Sequence, residues 1–232
     1  MVSSPAGRPT DAHPGRCYPR ETLIAILDFC QKHKLPLISD EIYACSVFDS
    51  GEPNAVPFTS VLSIDAEKHI DSRLLHVTYG LSKDFGAAGL RIGALITRSG
   101  PVLQAVHSVS RFQNSAGPSL SIGTAMLSDR DWCRSFIEGN RKKLAAAYKH
   151  VTSGLNDIGV KYMPGSNAGF FVYIDLSPYL SDKERFPEFA LAAKLDKAGV
   201  FLHPKEEHAL EPGWFRLVYT QDPRTITEGL KR

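Results

Sequence analysis

The chain has 232 residues, is 43% hydrophobic and 22% charged, and carries a formal charge of +2. That length and apolar share support one large domain or two modest ones with a sizeable core, and the near-neutral balance gives no electrostatic basis for binding nucleic acid or an anionic membrane. No apolar run approaches the roughly 20 residues of a membrane span; Cys17, Cys30, Cys45 and Cys133 lack CxxC spacing and the histidines lack HxxxH pairing, which favours the thiols of a cytoplasmic protein over a disulfide frame or a metal site.

Residues 1–18, MVSSPAGRPTDAHPGRCY, are rich in Ser, Pro and Gly and lack the apolar core of a secretory signal, so they predict an irregular segment. RETLIAILDFCQKHK (20–34) predicts a helix: Leu23, Ile26, Leu27 and Cys30 recur at helical spacing and basic residues close its end. LPLISDEIY (35–43) predicts a short apolar strand running into two acids, and SRLLHVTYG (72–80) and RIGALITR (91–98) predict two more. Helices alternating with short buried strands indicate an α/β fold with a mostly parallel or mixed sheet. SDRDWCRSFIEGNRKKLAAAYKHVTSGLNDI (128–158) predicts a long amphipathic helix, or two nearly continuous ones, capped by Ser128 or Asp129 and linking two domains. A turn and strand in KYMPGSNAGFFVYIDL (161–176), a helix near 186–198 and short strands in VFLHP and WFRLVYT then predict a small α+β domain. The expected division is an irregular segment at 1–18, part of a large domain at 19–127, and a linking helix with a small C-terminal domain at 128–232.

Ligands of open α/β sheets gather at the carboxyl ends of strands. Asp40, Glu41 and Tyr43 follow the first predicted strand, Ser82 and Lys83 follow the second, Arg91 opens the third, and Arg216 lies within a later one. A lysine amine can attack a carbonyl to form a Schiff base, a carboxylate can hold a pyridinium nitrogen protonated, serine, arginine and backbone N–H groups can hold a phosphate, and an arginine fork can grip a carboxylate. Taken singly, each residue has a plainer reading. Lys83 is then a solvated surface lysine, Asp40 a cap or surface acid, Tyr43 a packing residue, Ser82 a turn former, and Arg91 and Arg216 surface or ion-pair residues. Taken together they match the tasks of a pyridoxal 5'-phosphate site. Gly80, Gly86 and Gly89 are expected to give the tight turn and close approach such a site needs, and partial burial of Lys83 with nearby cations to favour its nucleophilic form.

The segments SDEIY, SKDFGAAGLRIG, NAGFFVYIDL and PGWFRLVYT, in that order, resemble the fold-type I aminotransferases of class I/II. The nearest branch is that of the 1-aminocyclopropane-1-carboxylate (ACC) synthases and ACC synthase-like proteins, and the likeness runs over nearly all of residues 15–232. It implies the α/β pyridoxal-phosphate-dependent transferase fold, aspartate aminotransferase-like, with an incomplete large domain and a small C-terminal α+β domain. It implies that Lys83 forms the Schiff base and later moves the Cα proton. Asp40 pairs with the pyridine nitrogen, Tyr43 bonds the ring 3′ oxygen, Ser82 and Arg91 bind the phosphate, and Arg216 binds the substrate α-carboxylate. The implied activity is that of an ACC synthase-like lyase or an aminotransferase acting on an amino acid, or a C–S lyase of secondary metabolism. No nucleic acid or membrane is involved, and family members are cytoplasmic homodimers.

Departures from the family pattern set an alternative. Family members are longer at the N-terminal side and carry a motif of the type N-P-x-N-P-x-G just before the first helix. Here PTDAHPGRCYP keeps Pro14 and Gly15 but has no asparagine, with His13 standing near its place. ITEGLKR is expected to stop inside the last helix. The alternative is therefore a catalytically inactive, truncated remnant or a mis-assembled gene fragment. Glu41 receives no role.

Overall fold

The computed structural model describes residues 2–3, 15–204 and 212–232, and the expectation about His13 and Pro14 lies outside them. Two compact units are present: the first takes the N-terminal strand, Cys17–Val47 and Pro57–Asn140, and the second takes Phe48–Val56 and Arg141–Arg232 together with Gly15 and Arg16.

In the first unit, helix α1 (Arg20–His33) turns Leu23, Leu27 and Cys30 inward. Lys34, at φ 54, closes it by offering its N–H to the carbonyls of Cys30 and Gln31. The chain then enters β2 (Leu37–Asp40), which pairs in parallel with β3 (Leu75–Gly80); β3 pairs antiparallel with β4 (Gly93–Thr97), and β1 (Val2–Ser3) pairs antiparallel with β2. The sheet is thus mixed, in the order β1-β2-β3-β4. The short strand β1 stands inside the segment expected to be irregular. Its pairing comes from the open edge of β2 and not from any alternation of its own residues. Leu23, Leu27, Cys30, Leu37, Val61, Ile64, Ile70, Leu75 and Val77 form the core beneath the sheet. Burying one such leucine as fully as Leu27 is worth about 1.5–3 kcal/mol.

The four-residue helix α2 (Leu81–Asp84) follows β3 directly. After β4 come α3 (Gly100–Ser110) and α4 (Gly117–Ser128), neither of which the sequence pattern announces, because α3 buries no residue and α4 buries only Gly123. The long helix is continuous as α5 (Arg130–Asp157), and Asp129 caps it by accepting the Trp132 N–H at 2.9 Å. The packing partners of α5 change at Asn140–Arg141 and not at the expected 127/128 boundary, since a helix start need not coincide with a change of neighbours.

In the second unit, α5 buries Leu144, Tyr148, Val151 and Leu155 against Val172, Ile174, Phe215 and Tyr219. The sheet is antiparallel, β5 (Lys161–Tyr162), β6 (Phe171–Asp175) and β7 (Trp214–Val218) in that order, joined by α6 (Pro187–Lys197) and α7 (Pro223–Lys231). VFLHP is not a strand: only His203 pairs, in a single bridge to Arg216, and Phe201 projects outward. Among the described residues no helix is long and apolar enough to cross a membrane, and no group of three His, Cys, Asp or Glu could hold a metal ion.

Candidate active site

Parallel pairing puts the carboxyl ends of β2 and β3 at one edge of the first sheet, with Asp40 opposite Thr78. Because β4 runs back along β3, with Gly93 opposite Gly80, its start lies at the same edge. Asp40, Tyr43, Ser82, Lys83 and Arg91, spread over fifty-odd residues of chain, therefore meet there by topology alone.

Asp40 is half-buried, and its Oδ1 accepts the Ile42 N–H at 3.2 Å and the Thr78 hydroxyl at 3.3 Å. Those bonds fix the carboxylate between the strand end and the loop it opens. Tyr43 is buried, and the Lys83 Nζ lies 6.0 Å from the centre of its ring. Lys83 itself is exposed, contrary to the expected partial burial. The reason is helical spacing: Leu81 and Asp84, three apart, take the inward face of α2 and leave Lys83 outside. Ser82 is half-buried beside it.

Two of the three glycines do what the sequence suggests. A Cβ on Gly80 would lie 3.1 Å from the Ile92 carbonyl oxygen and 3.2 Å from Ile42 Cδ1, and Gly86 has φ +61. Gly89 has open space and no positive φ, so no glycine is needed there. The left-handed residue in that stretch is Arg91, at φ 54. Arg91 is exposed; its guanidinium donates to the Ala88 carbonyl at 3.1 Å, and its own carbonyl accepts the Ser115 hydroxyl at 2.9 Å.

Arg216 belongs to the second unit, where it stands opposite Tyr173 in the β6–β7 register. Its Cζ lies 5.7 Å from the centre of the Phe171 ring, and its Nε is buried without a hydrogen-bond partner. An arginine held by an aromatic ring, with donor capacity unspent, is suited to an incoming carboxylate.

The sequence reading missed Asp84. This carboxylate is 1% exposed; its Oδ1 accepts the Ser46 hydroxyl at 2.6 Å, and its Oδ2 accepts the Cys45 N–H at 2.8 Å and the Tyr79 hydroxyl at 2.9 Å. Burial, reinforced by the adjacent Asp84 charge, pushes the Tyr79 hydroxyl far above the ordinary tyrosine range, so it stays a donor. The spacing of Asp84 from Leu81 is the signal that would have found it. Glu41 is also buried and structural: it accepts the Ser39 hydroxyl at 3.2 Å and the Val61 N–H at 2.9 Å, tying β2 to the turn at Val61.

A family model, aminotransferase class I and II, matches residues 13–232. The chain belongs to that family. Among similar proteins of this aminotransferase family, 1-aminocyclopropane-1-carboxylate synthase-like protein 1 of Homo sapiens is 35% identical over 221 residues, covering 94% of this chain and 42% of that protein. The 1-aminocyclopropane-1-carboxylate synthase CMW33 of Cucurbita maxima is 33% identical, covering 94% of this chain and 44% of its own length. A Thermus thermophilus aspartate aminotransferase, a tetra mutant solved with tryptophan, superposes with a TM-score of 0.80 at 25% identity, over 95% of this chain and 53% of that one. The chain therefore spans less than half the length of the curated relatives it matches, and its fold is part of the α/β pyridoxal-phosphate-dependent transferase fold.

Enzymes of this aminotransferase family depend on pyridoxal 5'-phosphate. The residues at the sheet edge suit that group chemically. They offer an amine for its aldehyde, a carboxylate for its ring nitrogen and a phenol for its ring oxygen, with a hydroxyl and a guanidinium for its phosphate.

Proposed function

We propose that this chain carries the catalytic part of a pyridoxal-phosphate-dependent enzyme acting on an amino acid. The observation that carries the reading is the convergence of Lys83, Ser82, Asp40, Tyr43 and Arg91 on one sheet edge in a chain of the aminotransferase family. When bound, the cofactor supplies a sink for the electrons left behind when the substrate Cα loses its proton.

The side chains do the remaining work. Lys83 would hold the cofactor through its amine and, when that amine is free, serve as the base at the substrate Cα; its exposure leaves the amine room for both tasks. Asp40 would keep the ring nitrogen protonated, its carboxylate held in place by the Ile42 N–H and the Thr78 hydroxyl. Tyr43 orients the ring, Ser82 and Arg91 bind the phosphate, and Arg216 takes the substrate α-carboxylate. A homodimeric assembly and a cytoplasmic setting complete the reading, both drawn from the family resemblance. The identity of 35% to an ACC synthase-like protein, against 25% to the aspartate aminotransferase, favours the ACC synthase-like branch for the reaction.

The test is the visible absorption spectrum of the purified chain with added pyridoxal phosphate, beside that of Lys83→Ala. The expected result is a band in the parent that the variant lacks. Equal spectra for the two proteins would overturn the assignment of Lys83.

A further inference from the structure

We infer that Asp84 is a positioning residue of this site, one that pins the Lys83 turn to the loop carrying Asp40 and Tyr43. The inference rests on the proposed role of Lys83.

Helix α2 has four residues, far too few to hold its own conformation in isolation. Gly86, two residues beyond Asp84, is in the left-handed region and breaks any continuation. What holds the turn must therefore come from outside it. Asp84 reaches three donors on two other segments. Ser46 and Cys45 stand on the loop after β2, and Tyr79 stands near the end of β3. All three donors are neutral, and between them they engage both oxygens of a carboxylate that is nearly inaccessible to water. The neighbouring residue, Phe85, stacks on Phe136 and Trp132 at 5.8 Å and 6.4 Å between ring centres and holds the far side of the turn.

The consequence for Lys83 is geometric. Its Cα adjoins that of Asp84, so the three hydrogen bonds fix where the lysine stem begins relative to the loop that presents Asp40 and Tyr43. Removing the carboxylate would leave a buried N–H and two hydroxyls without their acceptor, and the loop and the turn would loosen together. Asparagine preserves most of the geometry. Its carbonyl can accept from Cys45 and Tyr79, while its amide donates to the Ser46 oxygen.

The experiment is amide hydrogen exchange on the cofactor-free full chain, paired with a titration of the visible band by pyridoxal phosphate. In Asp84→Ala, exchange is expected to quicken about tenfold or more at residues 43–46 and 81–85, with α1, β2 and β3 unchanged. Cofactor affinity is expected to fall by a similar factor, and Asp84→Asn is expected to restore most of both. Parent-like protection at 43–46 and 81–85 in Asp84→Ala would overturn the inference. So would a uniform rise across α1, β2 and β3, or an Asn variant as loose as Ala. Should Asp84→Ala fail to fold, Ser46→Ala and Tyr79→Phe each remove one donor and are read by the same criteria. Lys83→Ala separates the two proposals: if it keeps the visible band, the lysine assignment fails, while the exchange pattern still reports on Asp84.

Discussion

Arg91 holds φ 54, a conformation that costs an L-residue about 1–2 kcal/mol, while Gly89, two positions before it, stands in open space with no such demand. Lys34 holds the same φ as the cap of α1, and Arg91 likewise closes the turn at Ala88–Leu90, so the surrounding backbone imposes the conformation in both places. Arg91→Gly is therefore expected to raise stability in urea denaturation by about 0.5–1 kcal/mol, once the added freedom of the unfolded chain is subtracted. The same change is expected to weaken the binding of pyridoxal phosphate, and Arg91→Ala is expected to lose the binding without gaining the stability. A glycine variant that binds the cofactor like the parent would remove Arg91 from the phosphate role. At this scale the sequence shows residue types and order, and the topology puts Asp40, Tyr43, Ser82, Lys83 and Arg91 at one sheet edge, while the roles proposed for them rest on the family resemblance. The sequence does not show which of two adjacent acids is engaged by what. The resemblance gives Asp40 a role and Glu41 none, and only the structure shows Glu41 bonded to the Val61 N–H while Asp40 stays at the strand edge beside Thr78. Asp84 went unread because its burial depends on the inward face of a helix only four residues long.

Among the helices, α1 and α5 were legible from a buried stripe, and α3 and α4, which lack one, were not. Helix α1 and the second half of α5 bury residues at helical spacing, β2 buries every second residue and β3 most of its residues, and β4, which buries none, was legible from its apolar run alone, whereas α3 and α4 bury almost nothing and left no pattern to read. The strand expected in VFLHP is reduced to a single bridge between His203 and Arg216 among the described residues. The start of α5 was readable to within one residue, with Ser128 and Asp129 as rival caps, and the bond from the Trp132 N–H selects Asp129. Asp129→Ala is expected to cost about 1 kcal/mol in urea denaturation, whereas Ser128→Ala is expected to stay within about 0.5 kcal/mol. Equal costs would mean the cap does not distinguish them. The cap also bears on the site, because the first turns of α5 carry Trp132 and Phe136, whose rings stack at 5.0 Å and support Phe85 beside the lysine turn.

Across the whole molecule, each unit owns a core and one of the two tryptophans, Trp132 in the first and Trp214 in the second. The cores differ in how completely their elements are used. In the second unit Tyr148, Val151, Leu155, Val172, Phe215 and Tyr219 are each no more than 1% exposed, so its sheet and its share of α5 are buried against one another. The first unit has a comparable centre around Leu27, Leu37, Val61 and Val77, but α3 and α4 leave Leu103, Val106, Val109, Leu120 and Ile122 facing outward, with Phe112 between the helices 85% exposed. Apolar area left in water contributes nothing to stability, and segments with few buried contacts open at lower free energy than well-packed ones. Trp132 lies where α4 hands over to α5, at the weakly buried end of its unit; Trp214 begins a strand whose next residue, Phe215, is fully buried. Single-tryptophan chains made by Trp214→Phe and Trp132→Phe report on the two places separately. Followed by fluorescence in urea, the Trp132 signal is expected to change at a lower denaturant concentration than the Trp214 signal, with a smaller slope because less surface is exposed in that step. Coincident midpoints and slopes would show instead that the chain unfolds as one cooperative body, and that the exposed side chains of α3 and α4 do not weaken the first unit.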